Sequence, residues 1–382
     1  MREVYLDNAA TTRCNPQVAR LALELMTEDY GNPSSLHRKG FEAQRRLRAA
    51  RRQLAEALGC QEEEVIFTSG GTEANNLAIQ GAVAARLRLG KTLVAMATAH
   101  ASVLEPLRYL EKQGYTLRLV PPLPDGSADE AALLEAVDGD TLLFCSQLVD
   151  SEVGTVAPVA GLSRAIRRKN KNVYLHCDAV QGLGKTAFSA ARLGVDSLSV
   201  SAHKIAAPKG CGALYLRRGA RILPLCYGGG QEGGLRPGTE NTPLACAFGE
   251  AAALALGNLE ENSAHVKELR EYFVNKLVKI PGVCMNSPPQ ATPYICNLSV
   301  PGYRSETMLH FLAERGIYVS SGSACSKGVA SHVLKAMGLP PERVDSALRV
   351  SFCPRNTKEE IDVLCEALGE GMAALARSGK GK

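Results

Sequence analysis

The strongest constraint on how this chain can fold is a unit that recurs between residues 64 and 204: a short apolar run that stops at polar residues. The runs are Glu64–Thr68, leading into Ser69-Gly-Gly-Thr-Glu-Ala-Asn75; Thr92–Met96, leading to His100; Thr116–Val120; and Thr141–Leu148, leading to Asp150-Ser-Glu-Val-Gly154. Two more follow: Asn172–Leu175, leading to His176-Cys-Asp-Ala-Val-Gln181, and Val195–Val200, leading to Ser201-Ala-His-Lys204. Their Val, Ile and Leu content marks strands, and helical stretches lie between them. This alternation predicts an α/β sheet whose functional site sits at the carboxyl ends of the strands.

Lys204 closes the last of these runs, and Pro208 and Gly210 then turn the chain. An ammonium at the end of an apolar strand is costly unless it is paired, snorkels to solvent or has become a Schiff base. Desolvation lowers a lysine pKa and frees the amine as a nucleophile. Asp178 follows an apolar run directly and wants a cationic partner. Ser69–Asn75 is a glycine-rich turn opening a helix, where backbone N–H groups suit an anion such as phosphate; the Gly-Lys-Ser/Thr ending of a P-loop is missing. Asp7–Thr12 and Asn32–His37 read as polar loops, and Phe41–Leu58 as an amphipathic helix. The glycine-rich stretch Gly228–Asn241 is either mobile or closely packed.

With 45% hydrophobic and 22% charged residues, the 382-residue chain has enough apolar material for a large core and a second domain. The net charge of +5 is mild. The basic run Arg45–Arg52 alternates with apolar residues at helical spacing and reads as a solvated helix face, which argues against a nucleic-acid partner. The apolar run Ala245–Leu256 is interrupted by Glu250 and too short to span a bilayer, so no membrane association is expected. Twelve cysteines are scattered without CxxC or Cys/His ligand spacing. They read as reduced thiols of a cytoplasmic protein, most of them inert core residues, with no metal site.

Pro281–Pro293 looks like the passage into a second domain, with strands Ile295–Val300, Ile317–Val319 and Ala347–Phe352 and helices Ser305–Arg315 and Ser331–Met337. Thr357 and Glu360 form a capping-box pair for the last helix. Arg349 needs an anion if it points inward. Cys325 stands among serines and glycines in Ser320-Ser-Gly-Ser-Ala-Cys-Ser-Lys-Gly328, the setting in which a reactive thiolate would sit.

Taken together, the motifs from Tyr5-Leu-Asp-Asn-Ala-Ala-Thr-Thr12 to Leu348-Arg-Val-Ser351 resemble the cysteine desulfurases, the NifS/IscS-like group of fold-type I, class V aminotransferase-like pyridoxal-phosphate enzymes. The resemblance implies a large domain, residues 15–257, with a mixed, mainly parallel seven-stranded sheet. A smaller α/β domain would come from residues 1–14 and 258–382 and carry the Cys325 loop. It also implies roles. Lys204 would bind pyridoxal 5'-phosphate covalently and move protons at the substrate carbon. Asp178 would pair with the pyridinium nitrogen, His100 would stack on the ring and take part in proton transfer as a catalytic residue, and Gln181 would bond its phenolic oxygen. Gly71, Thr72, Ser201 and His203 would hold the phosphate, and Thr239 would reach the phosphate of the partner subunit in a homodimer. Arg349 and Asn32 would hold the substrate carboxylate. L-cysteine would give L-alanine and a persulfide on Cys325, passed to an iron–sulfur scaffold or another acceptor protein.

Two departures from the group's pattern stand out. Asp150-Ser-Glu replaces the usual Asn-Asn-Glu, so Ser151 must serve where a longer amide commonly holds the phenolic oxygen and the substrate carboxylate. Only five residues separate Cys325 from Ser331. At about 3.3–3.6 Å per extended residue, such a tether gives limited travel, so an acceptor would have to come to the site. A selenocysteine lyase or a transaminase on the same scaffold, and a non-enzymatic scaffold, are the competing readings.

Overall fold

The computed structural model describes residues 3–321 and 330–377. Cys325 and its short tether therefore lie outside the described residues. Strand β1 (Val4–Tyr5) comes first. Seven strands then build the main sheet: β2 (Val65–Thr68), β3 (Thr92–Met96), β4 (Thr116–Val120), β5 (Thr141–Gln147), β6 (Tyr174–Asp178), β7 (Ser197–Ser201) and β8 (Gly212–Leu216), in the order β2-β8-β7-β6-β5-β3-β4. Pairs from β4 through β7 are parallel, while β8 runs antiparallel to both β7 and β2. The sheet is thus mixed and mainly parallel, as expected.

Both faces of this sheet are covered, which is why its strands read as unbroken apolar runs. Leu93 and Ala95 of β3 join one apolar cluster with Leu77 and Ile79 of helix Gly71–Ala84 and Leu107 of helix Ala101–Lys112. Val94 and Met96 join the other, with Leu162 and Ile166 of helix Val159–Lys169. The strand order reverses between β3 and β5, and the chain leaves β3, β5, β6 and β7 at one end of the sheet. Such a switch point opens a crevice for a ligand.

A three-stranded antiparallel sheet, in the order β12-β10-β9, follows from β9 (Cys284–Met285), β10 (Ile295–Ser299) and β12 (Ala347–Ser351). Strand β1 pairs in parallel with β11 (Ile317–Tyr318), and Asp7 bridges to Ser351. The capping box of helix Lys358–Ala374 is present: Thr357 N–H donates to Glu360 Oε2 at 3.1 Å, and Glu360 N–H to Thr357 Oγ1 at 3.4 Å.

The fifth apolar run does not stop at Leu175: β6 continues through Asp178, so His176 and Asp178 sit inside the sheet. Parallel neighbours on both sides hold the strand, and buried His176 satisfies its ring nitrogens on Ser197 Oγ and Asn75 Oδ1, both at 2.8 Å. Helix Pro16–Thr27 was not foreseen, although Asn15 caps it by accepting from Gln17 N–H and Pro16 fills its first turn. The apolar helix Thr242–Gly257 packs on helices Pro16–Thr27 and Arg38–Leu58. Gly249 permits the approach, because a Cβ there would come within 2.7 Å of Ala50 Cα. Among the described residues, no helix is long and apolar enough to cross a membrane.

The basic run is not simply a solvated face. Arg46 pairs with Glu24 and Asp29, and Arg51 holds Glu232 through Nη1 and Nη2 at 2.7 and 2.6 Å. Glu232 also accepts from Phe67 N–H at 3.0 Å, so the glycine-rich stretch is pinned to strand β2. The Glu232 side chain is only 3% exposed. Removing its partner strands a buried charge, which costs about 3–5 kcal/mol. Arg51→Met is therefore expected to lower folding stability by about that much in urea titrations, and the double change Arg51→Met/Glu232→Met to recover most of it. A loss no larger than that of an ordinary surface substitution would contradict this.

Candidate active site

At the crevice lies a cavity of about 200 Å³ lined by Ala9, Ala10, Gly71, Thr72, His100, Ser102, Gln147, Val149, Ser151, Asp178, Val180, Gln181, Ser201, His203, Lys204 and Arg349. It collects most of the residues singled out from the sequence. Lys204 follows the end of β7, and its Nζ donates to the carbonyls of Ala9 and Ala10 at 2.7 and 2.8 Å. Asp178 closes β6. Its Oδ2 accepts from Asn75 Nδ2 at 2.9 Å and its Oδ1 from Val180 N–H at 2.9 Å, so the carboxylate is fixed in place. Asn75 was not assigned a role from the sequence. Wholly buried, it also donates to Ser102 Oγ at 2.8 Å and accepts from His176, linking the acid to the histidine's neighbourhood.

His100 caps helix Ala101–Lys112: its Nδ1 accepts from Ser102 N–H at 3.1 Å, which places the ring proton on Nε2. Burial holds its pKa below the usual histidine value, against the opposing pull of Asp178. His203, beside Thr11 Oγ1 at 3.2 Å, is lowered to about 4 by burial and then by Lys204. Burial thus favours the neutral form of both rings. Gly71 and Thr72 form the first turn of helix Gly71–Ala84, which no side chain caps. A Cβ at Gly71 would meet Val180 Cγ2 at 2.6 Å, so glycine lets the helix start close against the turn after β6.

Arg349, in β12, is 2% exposed. Its Nη2 donates to Asp7 Oδ1 at 3.0 Å and its Nη1 to the Ser151 carbonyl at 2.9 Å, while buried Nε has no partner among the described residues. Asp7 is thus the anion this arginine was expected to need, and an unused donor remains on a residue that lines the cavity. Asp150 is buried, and its carboxylate serves Glu152 N–H, Val153 N–H and Gln147 Nε2. Asn32 and Thr239 do not line this cavity; both are exposed, and Asn32 Oδ1 accepts from Ser34 N–H at 2.9 Å. The eleven cysteines among the described residues are free thiols, most of them buried, but Cys226 is exposed, so exposure alone does not single out Cys325.

A larger cavity of about 640 Å³ also reaches Lys204 and is lined by Lys185, Tyr294 and Cys353, among others. Burial, then the nearby Lys204, pushes the Lys185 pKa down from 10.5 to about 7, with Cys353 and Arg349 also acting on it. Between those two values the unfolded chain holds a proton that the folded protein has released, so stability rises with pH across that window. Lys185→Met is expected to flatten that part of the thermal-midpoint profile. An unchanged slope would show that Lys185 keeps its proton when folded.

The Aminotransferase class-V family matches residues 4–364. The chain belongs to the class-V aminotransferase family. Among similar proteins is the cysteine desulfurase IscS of Methanosarcina thermophila, 37% identical over 97% of this chain and 92% of its own length. Another is the cysteine desulfurase IscS of Dictyoglomus turgidum, 39% identical over 96% of this chain and 94% of its own length. Among solved structures, a NifS-like protein superposes with a TM-score of 0.93 at 36% identity, over 98% of this chain and all of that one. SspA in complex with cysteine superposes with a TM-score of 0.81 at 30% identity, over 93% and 100% of the two chains. This class-V aminotransferase shares the group's architecture, a seven-stranded mixed sheet with its crevice at the strand ends.

The residues present fit pyridoxal 5'-phosphate. A fixed carboxylate, an amine, an uncapped helix start and an arginine with a spare buried donor line one cavity.

Proposed function

We propose that this chain is a cysteine desulfurase that converts L-cysteine to L-alanine and leaves the sulfur as a persulfide on Cys325. The observation that carries this reading is the convergence of Lys204, Asp178, His100 and Arg349 on one cavity. Its relatives' shared activity supports it.

When bound, the cofactor supplies an electron sink for the carbon that bears the substrate amine. Lys204 Nζ would hold it covalently and move the proton at that carbon. Asp178 would hold a proton at the ring nitrogen, and Gln181 would orient the phenolic oxygen. His100 would pack on the ring and take part in proton transfer. Gly71, Thr72, Ser201 and His203 would bind the phosphate, and Thr239 would reach across to the partner's site in a homodimer. Arg349 would bind the substrate carboxylate, with Ser151 beside it and Asn32 contributing from outside the cavity. The Cys325 thiolate attacks the substrate sulfur: an S–S bond forms, the C–S bond breaks, and its electron pair remains on carbon and takes a proton. An acceptor protein, such as an iron–sulfur scaffold, then takes the sulfur in the cytoplasm. The division into residues 15–257 and residues 1–14 with 258–382 belongs to the same proposal.

Purified protein loaded with pyridoxal phosphate and given L-cysteine should form one alanine per persulfide before any reductant is added. Pyruvate, or no alanine at all, would sink the reading.

Ser151 tests the substrate side. Its neighbour Asp150 already accepts three hydrogen bonds, and a carboxylate has no N–H to replace that of a missing amide. An added hydrogen bond contributes about 0.5–1.5 kcal/mol. Ser151→Asn is thus expected to lower the KM for cysteine by roughly 2- to 10-fold with little change in kcat. An unchanged KM would mean that water or another group already fills the gap.

A further inference from the structure

Lys185 has no part in the roles above, yet it touches a residue that does. It lies in the turn after β6, 8% exposed, and its Nζ donates to Gln181 Oε1 at 2.9 Å. On the other side of the same amide, Gln181 Nε2 donates to the Ala9 carbonyl at 2.8 Å, and that carbonyl also accepts from Lys204 Nζ. A chain of contacts therefore runs from Lys185 through Gln181 and Ala9 to Lys204.

The chemistry of this chain fixes the amide's orientation. The Ala9 carbonyl can only accept, so the Gln181 nitrogen faces it and the Gln181 oxygen faces Lys185, whose amine donates in either protonation state. Nε2 carries two hydrogens and Ala9 takes one, so Gln181, which lines the cavity, retains a donor. Without Lys185, the buried Oε1 would lose its partner. Ala9 would still take one Nε2 hydrogen, since turning the amide would set oxygen against oxygen, but the amide would be held on one side only and its second N–H would no longer be fixed toward the cavity.

We propose that Lys185 is a positioning residue for the cofactor: by holding Gln181 Oε1 it keeps a Gln181 N–H available to the cofactor's phenolic oxygen. This rests on the cofactor assignment above. Neither lysine need change its proton for the geometry to hold, because a neutral amine also donates.

The experiment is a double-mutant cycle on Lys185→Met, Gln181→Met and the pair, read by the pyridoxal phosphate Kd of the cofactor-free protein and by the pH midpoint of the visible band after loading. Each single change should raise the Kd about 10-fold, the equivalent of about 1.4 kcal/mol, and move the midpoint upward. The pair should be no worse than Gln181→Met alone, because one residue acts through the other. Gln181→Glu keeps the Lys185 contact but offers only acceptors, and should show the same loss even if Lys185→Met does not fold. A wild-type Kd and midpoint in Lys185→Met or Gln181→Glu, or losses that multiply in the pair, would overturn the proposal. A wild-type protein that develops no visible band with pyridoxal phosphate would instead overturn the cofactor assignment.

Discussion

Lys204→Ala is expected to abolish both cysteine turnover and the visible band of a lysine-linked cofactor. The lysine follows the end of β7, where Ser201 and His203 line the same cavity and two backbone carbonyls aim its amine inward. Alanine removes the covalent attachment and the group that moves the substrate proton. A positioned proton-transfer group alone contributes about 10²–10⁴-fold, so the loss should reach at least the upper end of that range. Cysteine should still bind, because Arg349 remains. The decisive measurement is borohydride reduction of the loaded wild-type protein followed by peptide mapping. Lys185 is the physical competitor, a buried amine with a pKa near 7 that lines the adjoining cavity. Reduced cofactor found on Lys185 would overturn the assignment of Lys204 and make the loss in Lys204→Ala an indirect effect.

Cys325→Ser should separate binding from sulfur removal. The variant is expected to keep the visible band and to bind cysteine, yet to release no alanine above background, since a serine hydroxyl does not take sulfur from carbon. The groups proposed to bind cofactor and substrate carboxylate are otherwise intact. Persulfide trapping in the wild-type protein should label Cys325 first. The informative control is Cys226, which is exposed, whereas burial pushes the thiols of Cys60, Cys177, Cys211 and Cys246 up to about 12 and keeps them protonated. Equal labelling of Cys226, or normal turnover by Cys325→Ser, would remove Cys325 from the mechanism.

The sheet and much of the cavity could be read from the sequence because they depend on local pattern. An apolar run followed by polar residues shows a parallel strand and its functional end, and Lys204, Asp178 and His100 each stand in such a place. What escaped depends on contacts between distant segments. Asn75 lies on a helix, where an asparagine ordinarily faces solvent. Only the packing of that helix beneath β6 and β7 turns it inward onto Asp178 and His176. Lys185 looks like one more surface lysine after a turn until Gln181 is seen to hold it. Arg349 announced its need for an anion, but the partner, Asp7, is 342 residues away along the chain. Glu232 within a glycine-rich stretch gave no sign that it would be buried against Arg51.

The contact between Asp7 and Arg349 also governs when the protein can become competent during its own synthesis. Ala9 and Ala10 leave the ribosome first and wait for Lys204, and Arg349 emerges only with β12, one of the last elements made. A nascent chain that has completed the seven-stranded sheet already displays its amine and its carboxylate. It still lacks the strand that closes the cavity and neutralises Asp7. A chain interrupted before β12 would therefore hold an open crevice in which Asp7 lacks its cation.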